Sequence, residues 1–320
     1  MCTWMPFVVI YLLITFSVHG AKTEQLRGMD ISLSDSFMNT IFHYPYDYEY
    51  FLERIFGITV LHLSADEKLS SADNYTELIN FNFDDILDCF AFMASTDATP
   101  TKDFIIENHG EQWKLIKRVV QDDGEYWTAT FKNSSLSYKH VMGAIYQGGY
   151  SLYLIGLHHK VKKMETLANY IQSKMPDRKY LVSVNLYMTP QGGNQAFEVH
   201  MDYMDGLIFQ VAGCKRWRIY DRESYPDDLQ GIIPIKDNMI KPIQSQIDMM
   251  TFKEYELRKG DVLYVPKGIL HEAATNCTLD HEEDITADNV QVKHKPKEPS
   301  VHLTIGIEDS SLMRGQRFDL

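Results

Sequence analysis

The chain has 320 residues, 44% of them apolar, 23% charged and 12% aromatic, with a formal net charge of −13. That composition can bury a large core and excludes wholesale disorder, and the aromatic share suits a β-rich interior. The acidic balance, without a long run of Lys or Arg, argues against DNA or RNA as a direct partner and reads as a solvated surface.

Pro6 to Val18 (PFVVIYLLITFSV) is an uncharged apolar run, followed by Val18-His19-Gly20 and the polar AKTEQLRG. The run is shorter than the about 20 residues that span a bilayer. Residues 1–20 therefore read as a cleaved signal peptide that leaves no transmembrane anchor, placing the mature chain in the endoplasmic reticulum lumen or outside the cell. Asn74-Tyr75-Thr76, Asn133-Ser134-Ser135 and Asn276-Cys277-Thr278 fit the N-glycosylation pattern and agree with that route. Cys2 would leave with the signal peptide, so Cys89, Cys214 and Cys277 allow one bridge at most.

Residues 21–137 read as an N-terminal region of helices and strands packed on a barrel. An aromatic-rich helix over Tyr48 to Phe56 ends at Gly57 and leads into a strand from Ile58 to Leu63. FDDILDCFAFMA has helical period. Trp113 to Val120 and Glu125 to Phe131 read as a hairpin, because Asp123-Gly124 favours a tight turn.

Residues 138–310 read as the main β domain, and residues 311–320 as a tail. Within it, Tyr138 opens a helix, Gly148-Gly149 turns into a strand, and VKKMETLANYIQSKM is helical up to Pro176. The strand YLVSVNLYMTP follows, then His200-Met201-Asp202 and the apolar run LIFQV. That run is expected to turn at Gly213-Cys214 and return through KRWRIYD as a hairpin. Tyr225 to Lys253 is irregular, GDVLYVPKGILHEA holds another strand, residues 279 to 299 form a charged loop, and VHLTIGI closes the sheet.

His200 and Asp202 stand two apart, so in an extended strand both side chains leave one face. His271, at the end of a distant apolar strand, would complete a set of two imidazoles and one carboxylate. That set holds mononuclear non-haem Fe(II) with positions left open. His-x-Asp alone is weak evidence, and His109 and His281, also flanked by acids, lie in loops and read as surface residues. On its own, His271 reads more simply as an ordinary capping or surface histidine.

In the oxygenase reading the open positions take a 2-oxo acid and dioxygen, and the far carboxylate of that acid needs a cation. Lys215 alternates with Trp217 and Ile219 and so can point inward as a point charge, the alternative being a solvated hairpin lysine. Asn185 and Tyr187 share one face of their strand and can present an amide and a phenol, or else form an exposed polar face. His302 and Thr304 share a face of the last strand, where Thr304 is either a ligand-facing hydroxyl or only a strand former.

The runs NLYMTPQGGNQAFEVHMDYMDGLIFQVAGCKRWRIYD, GDVLYVPKGILHEA and VHLTIGI resemble the JmjC-type 2-oxoglutarate oxygenases, most of all the ribosomal oxygenase branch of protein hydroxylases. The resemblance is specific from Tyr138 to Ile307. It implies a mainly β fold with flanking helices, a double-stranded β-helix of the cupin kind. It also implies Fe(II) on His200, Asp202 and His271, and 2-oxoglutarate on Lys215, with Asn185 and Tyr187 nearby and Thr304 as a further contact. Two departures stand out. Gly306 occupies a position where the family often has a hydroxyl residue, and the family's C-terminal winged-helix region would begin where this chain stops.

The activity implied is a 2-oxoglutarate-dependent dioxygenase that hydroxylates a side chain of a protein substrate. The alternatives are a cupin-like metal-binding module without turnover and a lysine demethylase.

Overall fold

The computed structural model describes residues 41–42, 46–65, 105–106, 113–120, 126–131, 136–177, 179–232, 234–236, 240–277 and 298–310. The expected signal peptide, the triplets at Asn74 and Asn133, the helix expected in FDDILDCFAFMA, Cys89, most of the charged loop and the tail lie outside them.

Helical turns at Tyr48–Tyr50 and Phe51–Ile55 open the described structure. Asp47 caps the first, its side chain accepting from Tyr50 N at 2.8 Å, and Gly57 ends the second at φ 71°, a value that favours glycine. The strands are β1 (Leu61–Leu63), β2 (Ile105–Ile106), β3 (Trp113–Val120), β4 (Tyr126–Phe131), β5 (Leu136–Ser137), β6 (Ser151–Leu154), β7 (Tyr180–Thr189) and β8 (His200–Met201). They continue with β9 (Asp205–Ala212), β10 (Cys214–Tyr220), β11 (Phe252–Arg258), β12 (Val262–Val265), β13 (Leu270–Ala274) and β14 (Ser300–Asp309). Among the described residues they are accompanied by the helices α1 (Tyr138–Tyr146), α2 (Lys162–Lys174) and the short α3 (Gln244–Ile247).

Two antiparallel sheets carry the site. The larger runs β1-β12-β9-β14-β7-β6-β3-β4 and the smaller β11-β10-β13-β8, while β2 and β5 pair separately. β1, β3 and β4 enter the larger sheet by hydrogen bonding, and β3 and β4 form the expected antiparallel hairpin.

Alternation along the strands sorts the side chains. Val184, Leu186, Leu207, Phe209, Leu303 and Ile305 leave one face of the larger sheet and join a core built with α1, α2 and the first helical turns. The buried face of α2 follows its 3.6-residue period through Met164, Leu167, Ala168 and Ile171. From the opposite face, Ile208, Leu263 and Val265 meet Trp217, Ile219 and Leu257 of the smaller sheet. The interior between the sheets is thus partly apolar, and the remaining inward positions are free to hold polar groups. Such facing sheets with strands exchanged between them make a double-stranded β-helix.

Two expectations change here. β9 and β10 form no hairpin: β9 belongs to the larger sheet and β10 to the smaller, and the chain changes sheet at Gly213. That glycine has φ 60°, and a Cβ on it would lie 2.6 Å from Pro299 O, so only glycine fits the corner. The irregular connection before Lys253 also yields β11, a mostly exposed edge strand, and its Tyr225, Leu229 and Met250 cover the outer face of the smaller sheet with Met201, Tyr220 and Leu270.

Candidate active site

β8 and β13 pair so that His200 lies opposite His271, and β10 continues the register with Ile219 beside His271. Both imidazoles therefore leave the inner face of the smaller sheet, their rings 4.5 Å apart. β8 ends at Met201, so Asp202 reaches the cluster from the bend beyond the strand rather than from within it. Gly268 N donates to Asp202 O at 3.0 Å and fixes that bend. Asp202 carboxylate oxygens lie 3.8 Å from His200 Nε2 and 3.6 Å from His271 Nε2. One ligand atom from each residue falls within 4.8 Å of the others.

The histidine tautomers follow from their neighbours. His200 Nδ1 lies 2.7 Å from Glu198 O and His271 Nδ1 2.9 Å from Ile269 O. A carbonyl only accepts, so each Nδ1 carries a proton and each Nε2 is the nitrogen turned toward Asp202. Burial and the neighbouring His200 push His271 down to about 4, so it is a neutral imidazole at pH 7. On the outer face behind it, Glu272 accepts from Gln195 Nε2 at 2.8 Å and Tyr220 Oη at 3.1 Å and faces Arg118 and Arg218.

The second half of the site is a buried polar group around Lys215. Lys215 is 3% exposed, and Nζ donates to Thr189 Oγ1 at 3.1 Å. Burial pulls its ammonium from the ordinary lysine range to about 7. Trp217 Nε1 and His302 Nδ1 are buried polar atoms without a hydrogen-bond partner. Trp217 bridges the halves, its ring 5.9 Å from His271 and 5.5 Å from His302. His302 is held well below the usual imidazole range by burial and by the charge of Lys215. Orphaned buried polar atoms cost about 1–3 kcal/mol each, and two of them beside a buried ammonium with a single hydroxyl partner suit a polar ligand.

The remaining expected residues lie on the facing wall. Tyr187 stacks between Tyr153 at 4.4 Å and His302 at 4.7 Å, with Phe197 set edge-on to both tyrosines. Asn185 is buried, and its Oδ1 accepts from Gly156 N at 2.9 Å, so its carbonyl serves the backbone. Thr304 pairs with Asn185 and Ile208, one inward step beyond His302. Gly306 comes next on that face. A Cβ there would lie 2.1 Å from Met204 Sδ and 2.8 Å from Ser183 Oγ, so the Met204 thioether fills the space a hydroxyl side chain would need.

Thr189, Trp217 and the imidazole of His302 escape a reading of the sequence as ligand-facing groups. Their inward positions are periodic in the sequence, but their convergence on Lys215 depends on strands from two sheets.

Residues 156–292 match the model of the JmjC domain. That stretch is similar to the JmjC domain. The chain is 27% identical across 211 residues to the bifunctional lysine-specific demethylase and histidyl-hydroxylase NO66 of Drosophila grimshawi, covering 65% of this chain and 25% of that protein. It is 33% identical across 112 residues to ribosomal oxygenase 2 of Rattus norvegicus, covering 35% and 22%. The chain thus spans about a quarter of the length of these curated relatives. The crystal structure of E. coli ycfD superposes with a TM-score of 0.49 at 17% identity, covering 88% of this chain and 61% of that one. The JmjC match includes His200, Asp202, Lys215 and His271 but stops before His302 and Thr304.

Proposed function

We propose that this chain is an Fe(II)- and 2-oxoglutarate-dependent oxygenase that hydroxylates a side chain of a protein in the secretory pathway. The observation that carries the reading is the buried Lys215 ammonium, without a carboxylate partner among the described residues, beside the cluster of His200, Asp202 and His271. A two-His, one-carboxylate set suits Fe(II) in oxygenases, and a lone buried cation suits the far carboxylate of a 2-oxo acid.

In this reading His200, Asp202 and His271 hold the metal, and Lys215 holds the co-substrate carboxylate with help from Thr189, Trp217 Nε1 and His302 Nδ1. Iron and 2-oxoglutarate, when bound, would together supply the electrons that reduce and so activate dioxygen. The chain's own contribution is order. Glu198 O and Ile269 O keep the imidazoles aimed, Lys215 fixes one end of the co-substrate, and the Tyr153–Tyr187–His302 stack with Phe197 walls the site against water. Tyr187, Asn185 and Thr304 shape this wall. The names of the two relatives, an oxygenase and a histidyl-hydroxylase, support hydroxylation as the reaction on this chain too.

The secretory address rests on three features. They are the apolar Pro6 to Val18 run, the three N-glycosylation triplets, and the Cys214–Cys277 bridge. Disulfides persist in oxidising compartments, so the bridge agrees with a signal peptide and a glycoprotein.

The test is succinate formation from 2-oxoglutarate with added Fe(II). The intact chain is expected to turn over, and His200→Ala to lose more than the about hundredfold that an outer-shell change can cost in metal sites. Equal turnover in both proteins would defeat the enzyme reading.

A further inference from the structure

A cavity of about 400 Å³ opens between the turn Pro266-Lys267-Gly268 and the segment from Arg222 to Pro234, with Gly57 at its edge. It adjoins the metal-type cluster, because Gly268 in its wall is the residue whose N–H holds Asp202 O at 3.0 Å. Arg222 Nη2 donates to Lys267 O at 2.9 Å, which fixes the guanidinium against the turn. Gly268 has φ 72°, and a Cβ on it would lie 3.4 Å from Pro234 Cδ and 3.9 Å from Arg222 Nη2, so the turn and the guanidinium share one wall.

The charge of this cavity is unusual for the protein. Among the described residues it is lined by Arg222 and Lys267 and by no carboxylate. Neither cation forms an ion pair among the described residues, whereas Arg118, Arg216, Arg218, Arg258 and Lys241 all do. In a chain of net charge −13, acids are the abundant partner. Asp205 feels the charge of Lys267, but it is buried and already accepts from Tyr264 Oη at 2.6 Å and Lys267 N at 3.3 Å, so it does not neutralise the cavity.

We infer that this cavity is a subsite for an acidic side chain of the protein substrate, seated a few residues from the one presented to the metal. The inference rests on the proposed oxygenase reading and adds the chemistry of the substrate: a carboxylate flanking the target. Arg222 offers a planar fork and Lys267 a point charge, and both reach a carboxylate without first breaking an ion pair. The spacing follows from the wall the cavity shares with the Asp202 bend, since an extended substrate advances about 3.3–3.6 Å per residue.

The test uses the full chain with Mn(II) and 2-oxoglutarate, and fluorescence anisotropy of two short Gly/Ser peptides that differ only in carrying several Glu or several Gln. The Glu peptide is expected to bind at least about tenfold more tightly, and to weaken as salt rises. Arg222→Gln with Lys267→Gln, and Lys267→Gln alone, are expected to lose that advantage while succinate formation without peptide stays at the intact level. Equal binding of the two peptides, binding of neither, or an unchanged Glu peptide affinity in the double variant would overturn the subsite. Absence of succinate formation in the intact chain would instead strike the oxygenase reading, which the peptide comparison does not measure.

Discussion

A buried ammonium with one hydroxyl for a partner is an expensive way to fill a core, which makes Lys215 the residue that most needs a ligand. Lys215→Met keeps the length of the side chain and removes the charge. It is expected to raise the melting temperature of the ligand-free chain and to weaken 2-oxoglutarate binding by about ten- to hundredfold, the worth of one charge-assisted bond. The pH dependence has a definite sign. The empty site releases the Lys215 proton near pH 7, and a bound carboxylate favours the charged form. Affinity is therefore highest below neutrality and falls as pH rises through 7, by up to about tenfold per unit. His302, the titratable neighbour, stays neutral across that range. Titrating 2-oxoglutarate with Mn(II) present checks this, and an equal pH slope in Lys215→Met would assign the effect elsewhere.

The closeness of His200, Asp202 and His271 was legible from the His200-x-Asp202 spacing and the apolar strand before His271, although Asp202 lies in the bend beyond β8 rather than in the strand, and the inward direction of Lys215 followed from its alternation with Trp217 and Ile219. The orphaned Trp217 and His302 atoms were not legible, because a missing partner is a property of the packed interior. Asn185 was half legible: its strand face was right, but the Gly156 N–H that engages its carbonyl comes from the turn after β6.

At the scale of elements, the strands carrying the site were mostly apparent from apolar period, and the departures have physical causes. β11 (FKEYELR) is an exposed edge with too many charges to read as a strand, and the change of sheet at Gly213 resembles a hairpin in one dimension. The Cys214–Cys277 bridge then gains a role. Cys214 precedes Lys215 on β10, and Cys277 follows β13, so the bridge ties the strand of the anion site to the strand of His271, which already pair at Arg216 and Ala274. The bridged residues are 63 apart, a loop whose closure is worth about 4 kcal/mol of stability in the chain-entropy account. Cys214→Ser with Cys277→Ser is expected to lower the unfolding free energy by roughly that amount. It should also weaken 2-oxoglutarate binding more than Mn(II) binding, because Lys215 is the nearer neighbour. Urea melts and the two titrations measure this, and coincident melts would leave the bridge without a structural part.

For the molecule as a whole, the compartment decides whether these parts work together. In a reducing cytosol the bridge opens and Asn276 stays bare, whereas in the secretory lumen the same stretch holds both a disulfide and a glycan acceptor. Asn276 is exposed just beyond β13, and its Oδ1 accepts from Arg216 Nε at 3.1 Å. A glycan on the amide nitrogen leaves that oxygen free to keep its bond, so modification is compatible with the fold. Chain expressed through the secretory route is therefore expected to migrate faster after glycosidase treatment, and Asn276→Gln to remove one step of that shift without altering 2-oxoglutarate binding. It should also melt higher than chain made in a reducing cytosol, by the contribution of the bridge. Mobility unchanged by glycosidase would remove the lumenal address, and with it the restriction of the substrate to proteins of that compartment, while leaving the geometry around Lys215 and His271 untouched.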